Sequence, residues 1–260
     1  MLTYPQIDPV AIALGPLKIH WYGLMYIIGF AAVWLLGKKR AEKSYSVIKP
    51  EAMEDLVFYG ALGVILGGRM GYILFYNFSL FIQDPLVIFK VWEGGMSFHG
   101  GMLGVFAAMW WFAKKQQCTM LALTDLIAPL VPIGLGAGRI GNFINNELWG
   151  RTTDVSWAIV FPGAGPLPRH PSQLYEALLE GLALFVIMWL YTRKQRPVMA
   201  ATGLVLCLYG CFRFFVEFYR LPDAHLGYLA LEWVTMGQIL SLPMIIIGAI
   251  IFTYAHKKTA

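Results

Sequence analysis

The run HWYGLMYIIGFAAVWLLGKKR, residues 20–40, decides the class of fold. Between His20 and Lys38 it carries no charge, and a bilayer core about 30 Å thick asks for about 20 apolar residues per helix. Lys38, Lys39 and Arg40 then close the segment. A cleavable signal peptide carries its basic residues ahead of the apolar run; here they follow it, so this helix is expected to stay in the mature chain.

The same character runs through all 260 residues, of which 58% are hydrophobic and only 13% charged. Soluble domains carry about 25% charged residues, so the chain has too little charge to cover a soluble globule and too much apolar content for disorder. Its 3 cysteines make no disulfide scaffold. The net charge of +5 is not gathered into a basic stripe, and no nucleic-acid partner is expected. An all-α polytopic integral membrane protein is what remains, read as a single transmembrane domain over 1–260. Helices are expected at 20–37, 53–75, 97–113, 123–144, 172–191, 201–218 and 234–254, seven in all, with a small periplasmic head region. The outer loops fall at about 76–96, 145–171 and 219–233. Pro129 and Pro132 make the fourth helix the least regular.

Lys/Arg asymmetry gives the orientation. One set of loops carries Lys38, Lys39, Arg40, Lys43 and Lys49, then Lys114 and Lys115, then Arg193, Lys194 and Arg196, then Lys257 and Lys258. The alternate loops carry Lys18, Lys90, Arg151, Arg169 and Arg220, offset by Asp8, Asp84, Glu93, Asp154, Asp223 and Glu232. Basic loops inside put the N-terminus outside and the C-terminus in the cytoplasm.

Arg69, Arg139, Arg213 and Glu217 break the apolar segments. A charge at the bilayer centre costs about 2.5–3.5 kcal/mol on insertion scales, so such residues are usually paired and functional. By this topology all four lie toward the outer ends of helices two, four and six. His99 opens helix three on the same side, and Glu147, Arg151 and His170 belong to the next outer loop. A transporter more often places its polar groups near the midplane. Polar groups at one leaflet suit an amphipathic substrate, such as a lipid with its headgroup at the outer surface.

The densest stretch is GLGAGRIGNFINNELWGR, residues 134–151. Its glycines let backbone or ligand come close, Arg139 offers a planar fork suited to phosphate, and Asn142 and Asn145 add neutral hydrogen-bonding groups. Glu147 is placed to orient an arginine or a substrate hydroxyl. Helix two echoes it, LGGRMGYILFYN (66–77) against GAGRIGNFIN (136–145), with Arg69 either a contact or a structural brace. Tyr209, Arg213 and Glu217 are spaced four apart on one helical face; either they form an intrahelical pair, or Glu217 holds Arg213 ready for an anion. His99, in GGMSFHGG (94–101), is a candidate base because imidazole titrates near pH 6.5. His20 reads equally as interfacial belt, and His170 as a loop contact ahead of helix five. Cys118, Cys207, Cys211 and the scattered histidines form no metal set, and no metal or cofactor is expected.

These residues carry a resemblance. HWYGLMY (20–26), GGRMGYILFYN (67–77), WEGGMSFHGG (92–101), GAGRIGNFINNELWGR (136–151), RHPSQLYEALLEG (169–181), YGCFRFFVEFYRLPDA (209–224) and MGQILSLPM (236–244) resemble the prolipoprotein diacylglyceryl transferase family, in order and over nearly the whole chain. The resemblance implies an enzyme of the bacterial cytoplasmic membrane that moves the diacylglyceryl group of phosphatidylglycerol, a membrane lipid. The acceptor is the lipobox cysteine thiol in a preprolipoprotein signal peptide, and the products are a thioether and glycerol phosphate. A thiol with an ordinary pKa near 8.5 must lose its proton to attack, and arginines aimed at the leaving phosphate stabilise the transition state more than the ground state. In this picture His99, Arg139 and Arg213 are catalytic. Tyr22, Arg69, Tyr76, Arg139, Asn142, Asn145, Glu147, Gly150 and Glu217 are the expected substrate contacts. Other classes remain open: a lipid or anion transporter using the same arginines, a non-catalytic scaffold, or a phospholipid hydrolase.

Overall fold

The computed structural model describes residues 2–15, 17–90, 94–222, 227–231 and 233–258. Glu93, Asp223 and Glu232, and with them parts of two motifs quoted above, lie outside the described residues. A helical segment answers each of the seven expected. They are α1 (Trp21–Ala41), α2 (Ala52–Tyr76), α4 (Phe98–Lys115), α5 (Met120–Ile127) continued by α6 (Val131–Ile144), the rod Ser172–Tyr191, α9 (Ala200–Val216) and α10 (Met236–Lys257). The rod is itself α7 (Ser172–Glu176), a π-helical stretch Ala177–Ala183, and α8 (Leu184–Tyr191). A short α3 (Phe78–Gln83) and a 3-10 turn at Pro85–Phe89 fold the loop expected at 76–96. Four helices, α1, α2, Ser172–Tyr191 and α10, are long and apolar enough to cross a membrane, and α5 with α6 makes a fifth candidate. Large apolar side chains such as Phe75, Leu178 and Ile246 stand exposed along them. The chain is a mostly helical membrane protein.

One expectation is sharpened and one needs correction. The helix expected at 123–144 is broken: Pro129 has no N–H to give the ladder, and Pro132 sits in the first turn of α6, where a missing N–H costs nothing. The all-α reading also overlooks short strands. Val10–Leu14 (β2) and Leu17–His20 (β3) form an antiparallel hairpin turning at Gly15, whose φ is +60°. Leu2–Thr3 (β1) pairs in parallel with Ile159–Val160 (β4). Residues this apolar read as helix or filler, although VAIAL and LKIH are β-branched enough to extend.

The chain packs as two compact units, Trp34–Leu126 and a larger one made of Met1–Val33 with Ile127–Ala260. In the smaller unit α2 and α4 meet along glycines. A Cβ on Gly63 would come within 2.6 Å of the Gly104 carbonyl oxygen, and one on Gly71 within 2.7 Å of Gly100 Cα. Glycines four apart on both helices bring the backbones together, and in lipid such close van der Waals packing is what drives helices to associate. The Ser97 N–H donates to the Gly68 carbonyl at 2.9 Å, and its Oγ accepts from the Gly100 N–H, capping α4. At the opposite end of α4, Lys115 pairs with Asp55 at 3.1 Å.

In the larger unit α6 lies against the π-helical stretch, where a Cβ on Gly181 would reach 2.7 Å from Gly136 Cα. The α9 and α10 helices pack together through Gly203, Gly210 and Gly248, and α10 opens with a Thr235–Gln238 capping box. The Tyr4 hydroxyl reaches the Phe143 and Ile144 carbonyls at 2.7 and 2.8 Å, tying the N-terminal strand to the end of α6.

Candidate functional site

The site grows from the acidic residues of the rod. Glu176 ends α7 and Glu180 lies in the π-helical stretch, four residues on; both are wholly buried. A π turn is wider than an α turn and recurs at functional sites. Buried carboxylates demand partners, and Glu176 has three. Its Oε2 lies 2.9 Å from Arg139 Nε of α6. Its Oε1 accepts from Arg213 of α9 at 2.7 Å and from Arg220 at 2.5 Å. Glu217, one turn beyond Arg213, binds the other Arg213 nitrogen at 2.7 Å and stands 3.4 Å from Arg220 Nε. Glu180 is held more loosely, 3.8 Å from Arg139 and 4.0 Å from Arg213.

Three arginines and three glutamates thus form one cluster inside apolar helices. The carboxylates of Glu176 and Glu180 are sealed, while the Arg139 and Arg213 side chains keep 20% and 15% of their exposure. The layering matters chemically. Sealed carboxylates fix the guanidinium groups, which keep the exposed part of the cluster, and a guanidinium held in this way is chemically suited to an anion.

Around this core the other expected residues fall into place unevenly. Asn142 is buried; its amide donates to Glu147 Oε1 at 2.7 Å, and its Oδ1 stands 3.5 Å from an Arg139 terminal nitrogen. Glu147 therefore orients the asparagine. The Gln173 amide donates to the Glu147 carbonyl at 2.6 Å and anchors this loop to α7. The Tyr22 ring lies against Gly141, where a Cβ would come within 2.9 Å of it. Asn145 caps α6 and is half-buried. Gly150 is a different case from the one expected. A Cβ there would stand 2.5 Å from the Tyr219 carbonyl and 2.6 Å from that of His170, so its missing side chain serves a close crossing of backbones. Arg151 braces the same crossing by donating to the Arg220 carbonyl at 2.7 Å.

Arg69, Tyr76 and His99 belong to the smaller unit. Arg69 is buried and paired with no acidic residue among the described ones. Its guanidinium donates to the Val87 carbonyl at 2.6 Å and to those of Gly94 and Gly95, fastening these residues to α2. That geometry makes it a brace. Tyr76 is exposed and stacks on Tyr72, and His99 stands exposed in the first turn of α4. His170 packs beside Tyr175 and Tyr219. The Tyr175 hydroxyl accepts from Trp157 Nε1 at 2.7 Å and lies 3.0 Å from His170 Nδ1, while burial pushes the imidazole pKa down, so this ring is neutral at pH 7.

Glu176, Glu180 and Arg220 are not among the residues singled out from the sequence. The signal was present, because the rule that flags an arginine inside an apolar segment flags a carboxylate equally. SQLYEALLEG carries two, at helical spacing.

Helices long and apolar enough to cross a membrane, with a cluster of arginines on buried carboxylates among them, define a class: a polytopic helical membrane protein with charge buried between its helices. Comparison with known proteins gives the family. The family model described as "Prolipoprotein diacylglyceryl transferase" matches residues 9–254. A protein of Pseudomonas aeruginosa (strain LESB58) named phosphatidylglycerol–prolipoprotein diacylglyceryl transferase is 61% identical, covering 100% of this chain and 98% of its own length. Proteins of the same name from Oleidesulfovibrio alaskensis and Pseudoalteromonas atlantica are 62% and 61% identical, covering 99% and 98% of this chain and 97% and 92% of their own lengths. The chain belongs to the prolipoprotein diacylglyceryl transferase family.

Proposed function

We propose that this protein transfers the diacylglyceryl group of phosphatidylglycerol to the lipobox cysteine of a preprolipoprotein, the first step of bacterial lipoprotein maturation. The named activity of its relatives supports the reaction, and the buried arginine–glutamate cluster is the observation that carries the chemistry. In the reaction the cysteine loses its proton, the thiolate attacks the terminal glycerol carbon of the diacylglyceryl group, and the C–O bond to phosphate breaks. The bonding pair leaves with glycerol phosphate. Negative charge grows on the departing phosphate, and guanidinium groups already fixed by carboxylates meet it without reorganising. Arg139, with Asn142 beside it, takes the headgroup phosphate, and Arg213, steadied by Glu217 and Glu176, supports the leaving group. Tyr22 and Asn145 line the approach. His99 is the candidate base at the mouth of α4. No step calls for a metal or cofactor.

The seven helical segments are read as seven spans of one transferase domain in the bacterial cytoplasmic membrane. The N-terminus is periplasmic, the C-terminus cytoplasmic, and the cluster faces the outer leaflet. The basic loops support this orientation.

Mass spectrometry of a lipobox peptide incubated with the purified protein and phosphatidylglycerol in detergent tests the reading. A cysteine-dependent gain of one diacylglyceryl group is expected, lost in Arg139→Ala. Lipid movement across reconstituted vesicles with no covalent product would replace the transferase by a transporter. For the base, an unchanged rate and pH profile in His99→Gln would remove His99 from proton transfer.

A further inference from the structure

The chemistry above leaves Glu180 without a task. Arg139, Arg213 and Arg220 carry three positive charges, and Glu176, Glu180 and Glu217 ionised carry three negative ones, so the cluster sums to zero. A neutral cluster attracts an anion weakly, and binding one there is harder still where water is scarce. The three carboxylates are not equivalent. Glu176 receives arginine nitrogens at 2.5, 2.7 and 2.9 Å, and Glu217 one at 2.7 Å. Among the described residues no arginine nitrogen comes nearer to Glu180 than 3.8 Å, and both of its oxygens are buried without a hydrogen bond. Removing the charge of Glu180 therefore breaks no short ion pair, whereas removing that of Glu176 would break three.

We propose that Glu180 is the proton-carrying carboxylate of the phosphate site: entry of a phosphate diester is coupled to uptake of one proton by Glu180. Protonated, it turns the cluster from neutral to a single positive charge, the complement of one diester. The groups that face Glu180 are Glu176 on its own helix, Arg139 on α6, Tyr209 and Arg213 on α9, and Arg220 just beyond. A guanidinium stays charged and a phenol stays neutral across the neutral range, and Glu176 is the shared partner of three arginines at 2.9 Å or closer. That leaves Glu180 as the group to take the proton. The inference rests on reading the cluster as a phosphate site.

The probe is dihexanoyl phosphatidylglycerol, a soluble diester that does not itself titrate near neutrality. Its binding to the full-length protein in detergent is measured by calorimetry in buffers of different ionisation enthalpy. About one proton taken up per ligand is expected, with affinity falling as pH rises, toward about tenfold per unit once Glu180 is ionised in the free protein. In Glu180→Gln the uptake disappears and affinity becomes flat with pH. Infrared difference spectra supply a second readout: a carboxylic-acid carbonyl band appears on ligand addition to the parent protein alone. Binding without proton uptake by the parent protein, or uptake that persists in Glu180→Gln, overturns the proposal while leaving the phosphate site standing. An absence of diester binding by folded parent protein overturns the phosphate site itself, and this proposal with it.

Discussion

Two helices carry the same four-residue pattern and use it differently. In α2 it is Gly68-Arg69-Met70-Gly71, in α6 Gly138-Arg139-Ile140-Gly141, both near the C-terminal end of the helix. Arg69 spends its donors on main-chain carbonyls of Val87, Gly94 and Gly95 and is only 3% exposed. Arg139 is held from behind by Glu176 and keeps part of its side chain accessible. The second glycine of each pattern makes room for a neighbour, but a different one: Gly71 for the backbone of Gly100, Gly141 for the ring of Tyr22. What separates the two arginines is therefore the partner. Arg69 gives its terminal nitrogens to carbonyls and buries its Nε without a hydrogen bond, whereas Arg139 sets its Nε against a sealed carboxylate and keeps 20% of its side chain exposed.

The sharpest way to break this comparison is to remove the carboxylate. Glu176→Ala leaves three arginines without their common partner, and uncompensated buried charge of this kind costs about 3–5 kcal/mol. Unfolding in detergent should show a loss of that order together with lost transferase activity; a variant as stable as its parent would end the claim that Glu176 is the hub. Arg139→Lys keeps the charge and loses the fork. We expect activity about 100-fold lower with the fold intact, the size seen when one preorganised donor is removed. Arg69→Lys is the matched experiment on the other helix. It should lower stability by about 1.5–3 kcal/mol through lost charged hydrogen bonds, with the turnover of the folded fraction kept. Equal loss of turnover in the two lysine variants would erase the distinction. The smallest effect is expected from Gly181→Ala. Its added methyl would press on Gly136 at 2.7 Å and cost about 1–3 kcal/mol of overpacking, and it should weaken diester binding by shifting α6 from the rod.

Much of this was legible in the chain. Apolar runs the length of a bilayer placed the long helices within a few residues of where they lie, though not the short α3, and prolines marked the break between α5 and α6. Charges inside those runs pointed to Arg139, Arg213 and Glu217, and the spacing of Arg213 and Glu217 foretold their pairing at 2.7 Å. The carboxylates of the rod escaped because attention to arginine is natural when the ligand is an anion, although burial makes the acid as costly as the base. Arg220 escaped for another reason. Counted by charge it is one more loop residue, and only the chain crossing at Gly150 and the hub at Glu176 give it a place in the cluster. For Gly150 and Arg69 the linear motif gives the residue type alone, and only the structure shows the backbone crossing that the one permits and the carbonyls that the other holds.

The sequence by itself determined that this is a helical membrane protein, the approximate span of its helices, and the residue types available for binding an anionic lipid. These follow from local composition, since each helix in lipid must satisfy its own backbone and present apolar side chains. Tertiary structure alone decided which charges meet. Glu176, Arg139 and Arg213 are 37 residues apart in each direction along the chain, and only the packing of α6 and α9 against the rod turns three separate costs of burial into one shared site.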